Sequence, residues 1–173
     1  ADELCSDLQF SPDTSDRFEE AINDLARFLG IQAQRPEREY KEGPDNLWAL
    51  PNGQFVVIEC KNGVTAAGGI AKKDAGQLGQ SVAWFKNRYP ASACTPIMIH
   101  PARSLGDGAS MVAGMRVIDE ARLDKLRKNL RALAKQLANP DVALSVVEVA
   151  KRLAQFEFNG DAFINAFTAP AKA

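Results

Sequence analysis

Phe55-Val56-Val57-Ile58-Glu59-Cys60-Lys61 decides how this chain is read: an apolar run leads straight into an acid and a base two positions apart. Residues two apart on a strand point to the same face, so Glu59 and Lys61 look out together. Burying such charges is costly unless something pairs with them. Just upstream, Pro51-Asn52-Gly53 is a hairpin signal that joins a strand over Gln54–Lys61 to an earlier one over Asp45–Leu50. Asp45 lies six residues before this loop and Glu59 six after it. The two acids are therefore expected to be near cross-strand partners at the hairpin end away from the turn. A divalent cation with a phosphate beside it would supply the pairing that these acids and the amine need.

Outward from the hairpin, residues 13–30 read as a helix. Asp13, Thr14 or Ser15 can cap it, Phe18, Ile22, Leu25 and Leu29 form its apolar stripe, and Gly30 stops it. Ile31–Gln34 opens a first strand, and Arg35–Gly43, with Pro36 and alternating charge, reads as an exposed connection. After the hairpin come a flexible Gly/Ala-rich loop over Gly63–Ile70 and a helix over Lys73–Tyr89, with Leu78, Val82 and Phe85 on its apolar side. Thr95–His100 is a short buried strand, Ser104–Gly108 a loop, and Arg116–Ile118 a last strand. Three helices are expected beyond Asp119: one to about Ala138, one over Asp141–Phe156, and one over Asp161–Phe167. Ala169–Ala173 is expected to fray. This order predicts an α/β fold, a mixed sheet packed between helices.

The 173 residues, 46% hydrophobic and 25% charged, suit one soluble domain with a sizeable core. No apolar run approaches a membrane span. Cys5, Cys60 and Cys94 are scattered and odd in number, which argues against a disulfide framework and for a reducing, cytoplasmic setting. With no C-x-x-C pair and His100 as the only histidine, zinc is not indicated. The chain opens at Ala1 without Met, a basic leader or an apolar signal core, which fits a processed chain or a piece of a longer protein. The net charge of -1 conceals 12 acids and 5 bases in residues 1–45, against 10 acids and 16 bases in residues 46–173. Arg122, Lys125, Arg127, Lys128, Arg131 and Lys135 crowd one segment, which either contacts a phosphate backbone or forms a solvated helix face.

Pro44-Asp45 and Glu59-Cys60-Lys61, with a helix before and a helix after, resemble the PD-(D/E)xK nuclease superfamily, the restriction-endonuclease-like fold. The helix Phe18-Glu19-Glu20-Ala21-Ile22-Asn23-Asp24-Leu25-Ala26-Arg27-Phe28-Leu29-Gly30 is similar to the opening helix of its Mrr and Holliday-junction-resolvase branch, and Gln77 falls where those proteins carry a glutamine. The likeness runs from about Phe18 to about Pro101. It implies an αβββαβ core over residues 1–118, a central mixed sheet flanked by helices, and a helical extension over 119–173 packed on it. It also implies Mg²⁺, with Mn²⁺ as a substitute, held by Asp45, Glu59, the backbone carbonyl of Cys60, and Glu19 directly or through water. Lys61 would then orient and help deprotonate the attacking water, or stabilise charge developing on the phosphate. Gln77, with Gln80 one turn on, would hydrogen-bond the phosphate or the nucleophile, and Lys72 and Lys73 would hold the backbone.

The function so implied is a metal-dependent endonuclease domain acting on nucleic acid, DNA first, in restriction, phage defence or DNA processing. A homodimer or a tethered helicase-like ATPase would suit it as partner. Two alternatives stand beside it: an inactive nuclease-fold module that binds or assembles, and an RNA-directed nuclease. His100 is assigned a structural hydrogen bond, Cys60 a small core position, and Trp48 and Trp84 the core. A nucleotide-binding enzyme lacks support, because neither a P-loop nor a dinucleotide fingerprint is present.

Overall fold

A computed structural model describes residues 2–51, 53–140 and 145–173. The elements follow in the order α1 (Asp2–Asp7), α2 (Ser15–Phe28), β1 (Gln32–Gln34), α3 (Pro36–Tyr40), β2 (Asn46–Ala49), β3 (Phe55–Cys60) and α4 (Lys72–Arg88). They continue with β4 (Cys94–Ile99), β5 (Arg116–Ile118), α5 (Glu120–Leu137), α6 (Val146–Gln155), α7 (Gly160–Phe167) and β6 (Ala169–Pro170). The strands form one mixed six-stranded sheet in the order β1-β2-β3-β4-β5-β6, an α/β architecture with helices on both faces. Neighbours pair antiparallel from β1 to β3, parallel from β3 to β5, and antiparallel again between β5 and β6.

Strand alternation sorts the side chains into two layers. Trp48, Val56, Ile58 and Cys60 join α1, α2, α5 and α7 on one face. Leu47, Val57, Met98 and Val117 pack under α4 on the other. Helix α5 commits Leu123, Leu126, Leu130 and Leu133 to the first layer, so the C-terminal helices share a core with α2. Among the described residues no helix is long and apolar enough to cross a membrane.

The structure departs from the sequence expectations in several places. Residues 35–43 are not an exposed connection: they hold α3, with Arg35 and Pro36 buried. The guanidinium of Arg35 is drawn inward by three acids of α2. The loop over 63–70 is pinned rather than free, because Ile70 is buried, its N–H donates to Ser104 O, and Gly106 N–H donates back to Ile70 O. The last residues do not fray. Ala169 pairs with Val117, and Ala171 and Lys172 donate to Met115 and Arg103, since the free edge of β5 offers unpaired backbone groups. Helix α1 was not expected at all. The loop residue Asn52 and the start of the helix expected over 141–156 lie outside the described residues.

Candidate active site

The end of the β2–β3 hairpin away from its turn, together with the first turns of α2, α3 and α4, encloses a cavity of about 430 Å³. It is lined by Glu19, Glu37, Asp45, Glu59, Cys60, Lys61, Asn62 and Gln77, among others. Asp45, Glu59, Lys61, Glu19, Gln77 and Cys60 therefore border one space, whereas Gln80, Lys72 and Lys73 do not line it. A second hollow of about 320 Å³ opens beside it and shares Glu37, Glu59 and Gln77, with Gln80, Ser81 and Trp84 on its wall. A further hollow of about 350 Å³ at the turn end of the hairpin has no charged residue in its lining and offers no comparable chemistry.

The register explains the convergence. Asn46 pairs with Ile58 and Leu47 with Val57, so Asp45 stands opposite Glu59 on the face that α4 covers. Both carboxyls are buried, Asp45 at 5% exposure and Glu59 at 4%. Cys60 N–H donates to Asp45 Oδ2 at 2.7 Å. The N–H and C=O of a strand residue point the same way, so the Cys60 carbonyl is directed to the same edge of β3 as its N–H, while its thiol joins the core. Ser81 donates its hydroxyl to Glu59 Oε1 at 2.6 Å, and Lys61 Nζ lies 3.4 Å from Glu59 Oε2. Asn62, buried, donates to Thr14 Oγ1 at 2.8 Å and Ser11 O at 3.1 Å, fixing the strand end to the start of α2.

This geometry sets the charges. Burial, the neighbouring Glu59 and a side-chain hydrogen bond with Glu37 push the Asp45 carboxyl up to about 9, against the lowering effect of the Cys60 N–H. Burial works against the Lys61 ammonium, but Glu59 and Asp45 outweigh it and hold its pKa above the ordinary lysine range. Burial likewise raises Glu19, opposed by Arg35. Two adjacent buried carboxylates, one of which retains a proton, with a backbone carbonyl beside them, form an all-oxygen donor set. It suits a hard divalent cation that could take the proton's place. Among the described residues no three Asp, Glu, His or Cys side chains stand close enough to enclose an ion as they are.

The five site residues differ in how free they are. Glu19 is held by Arg35, with Nη2 at 2.5 Å from its Oε2, and Arg35 in turn is 4% exposed and also bound to Asp16 and Glu20. Gln77 faces both hollows from α4. Lys72 and Lys73 sit exposed at the start of α4 and make no ion pair among the described residues. The basic segment of α5 lies elsewhere: Arg122, Lys125 and Arg127 are paired with Asp119, Glu157 and Asp124. Arg131 and Lys135 line a hollow with Phe28, nine residues along α2 from Glu19, or about 13 Å. His100 is buried, with Nδ1 bonded at Ala102, and Trp48 is core, as expected from sequence. Trp84 is half-buried, packing at the edge of the core layer under α4 and lying across Gly43.

Sequence reasoning missed Glu37, Ser81, Arg35 and Asn62. Ser81 was within reach, one helical turn beyond Gln77. Asn62, next after Lys61, was also close at hand. Nothing in the local pattern marked Arg35 or Glu37. Comparison of the chain with protein-family models, curated proteins and solved structures gave no match.

Proposed function

We propose that this protein is a metal-dependent endonuclease domain of the PD-(D/E)xK kind, hydrolysing phosphodiester bonds, in DNA first. The observation that carries it is the meeting of Asp45, Glu59 and Lys61 with Glu19 and Gln77 around one cavity at the hairpin end. The order α2-β1-β2-β3-α4-β4, with the short α3 inserted between β1 and β2, is compatible with that core.

Asp45, Glu59 and the Cys60 carbonyl would hold the cation. When bound, Mg²⁺ or Mn²⁺ supplies Lewis-acid polarisation of the scissile phosphate and lowers the pKa of the attacking water. Lys61, whose proton is retained through neutral pH, acts as a fixed positive charge for the phosphate oxygens rather than as a base. Ser81 and Lys61 together hold both oxygens of Glu59. Gln77 offers an amide to the phosphate from the opposite wall, and Lys72 and Lys73 at the mouth attract the flanking backbone.

The test is cleavage of plasmid, single-stranded DNA and RNA with Mg²⁺, Mn²⁺ or EDTA, with Asp45→Ala and Lys61→Ala as controls. Metal-dependent cutting is expected, reduced by about 100-fold or more in either variant, on the scale of losing one transition-state donor. Binding without cutting would instead assign a nuclease-fold binding module. Preference for RNA would redirect the substrate.

A further inference from the structure

We infer that Glu37, not Glu19, supplies the third carboxylate to the cation held by Asp45 and Glu59. This rests on the metal-dependent reading of the site and identifies which of its acids take part.

Four carboxylates line the cavity: Glu19, Glu37, Asp45 and Glu59. Glu59 is oriented by Ser81 on one oxygen and Lys61 on the other, and each oxygen keeps a further lone pair for an ion. Glu19 has its Oε2 on the guanidinium of Arg35, a buried cation that would lose a close partner if Glu19 turned away. Glu19 also anchors the hairpin through its backbone, whose carbonyl accepts from Asn46 Nδ2 at 3.0 Å. Its position serves the sheet.

Glu37 is placed differently. It lies in the first turn of α3, where Pro36 is buried and Lys41 closes the helix in the left-handed conformation. Its N–H donates to Pro44 O at 3.2 Å, so its backbone is tied to the residue immediately before Asp45. The turn that carries both is clamped: Gly43, at φ 91°, passes so close to Trp84 and Pro36 that a Cβ would lie 2.9 Å and 3.0 Å from them. From there the Glu37 side chain borders both hollows and shares the wall of the larger one with Asp45 and Glu59. It is exposed and forms no ion pair among the described residues. A carboxylate held beside a buried acid pair can turn to an ion without stranding a buried cation, whereas Glu19 cannot turn without leaving the 4% exposed Arg35 short of a partner. Glu19 then tunes the field through Arg35 without touching the ion.

The test is Mn²⁺ binding to the intact chain, followed by calorimetry and by loss of the free-ion spin-resonance signal, for wild type, Glu37→Gln, Glu37→Asp, Glu19→Gln and Asp45→Asn. Thermal melts of the same samples confirm folding. Glu37→Gln is expected to weaken Mn²⁺ at least tenfold, Glu37→Asp to give a smaller loss because its shorter arm withdraws the oxygens, and Glu19→Gln to change affinity less than threefold. Glu37→Gln within threefold of wild type would overturn the assignment, as would a larger loss in Glu19→Gln. Glu37→Asp equal to wild type would reduce Glu37 to a distant charge and also overturn it. These failures leave the site standing if Asp45→Asn abolishes binding, whereas a wild type that binds no Mn²⁺ would remove the metal-dependent reading and this assignment together.

Discussion

Replacing Asp45 by Asn tests the buried acid pair directly. Asn keeps the size of the side chain and an oxygen for the Cys60 N–H, but it removes the titratable group beside Glu59. The Asp45 carboxyl titrates at about 9 when folded and in the ordinary carboxylate range when unfolded. Between those values the folded chain holds a proton that the unfolded chain has released, so stability is full below about pH 4 and declines as pH rises. The slope approaches about 1.4 kcal/mol per pH unit, giving an upper bound of about 4 kcal/mol between pH 5 and 8. Water reaching the ionised pair through the open cavity holds the expected effect to about half of that. Urea denaturation in EDTA at pH 5, 6, 7 and 8 should therefore show wild type losing about 2 kcal/mol relative to Asp45→Asn. Added Mg²⁺ should restore wild type at pH 8 and leave the variant unchanged, because the cation replaces the proton between the carboxylates. Superimposable pH profiles for the two proteins would refute the buried pair.

Three further outcomes are expected. Ser81→Ala removes the 2.6 Å hydroxyl donor to Glu59 and should cost about 2 kcal/mol in urea denaturation, with a fall in cleavage rate of about tenfold as that carboxylate loses its orientation. Arg35→Met leaves Glu19 half-buried without its cation and should destabilise by about 3 kcal/mol, read in the same assay. Gly43→Ala forces a side chain into the left-handed region against Trp84 and should cost about 2 kcal/mol, lowering Tm by roughly 6 °C in calorimetry.

The sequence by itself determined the parts that depend on short periods. A strand alternates every two residues, so Glu59 and Lys61 had to share a face. The hairpin loop fixed the pairing sum, so Asp45 had to meet Glu59, as the Asn46–Ile58 register bears out. The stripe of Phe18, Ile22 and Leu25 placed α2 against the sheet by the same local logic.

Tertiary structure decided which of the acids is free. Glu19 looked available on its helix, but Arg35 is brought against it only when β1 folds back beside α2, and no local pattern records that meeting. Glu37 lay in what read as a solvated connection, and it gained a place in the cavity when Trp84, 41 residues after Gly43, closed over the turn. The tail became β6 because β5, arriving from elsewhere in the chain, left an edge of unpaired backbone groups for it to fill. Local periods set which way a side chain points, while long-range packing sets what it finds there, and for a buried charge the second is what fixes its protonation and its partners.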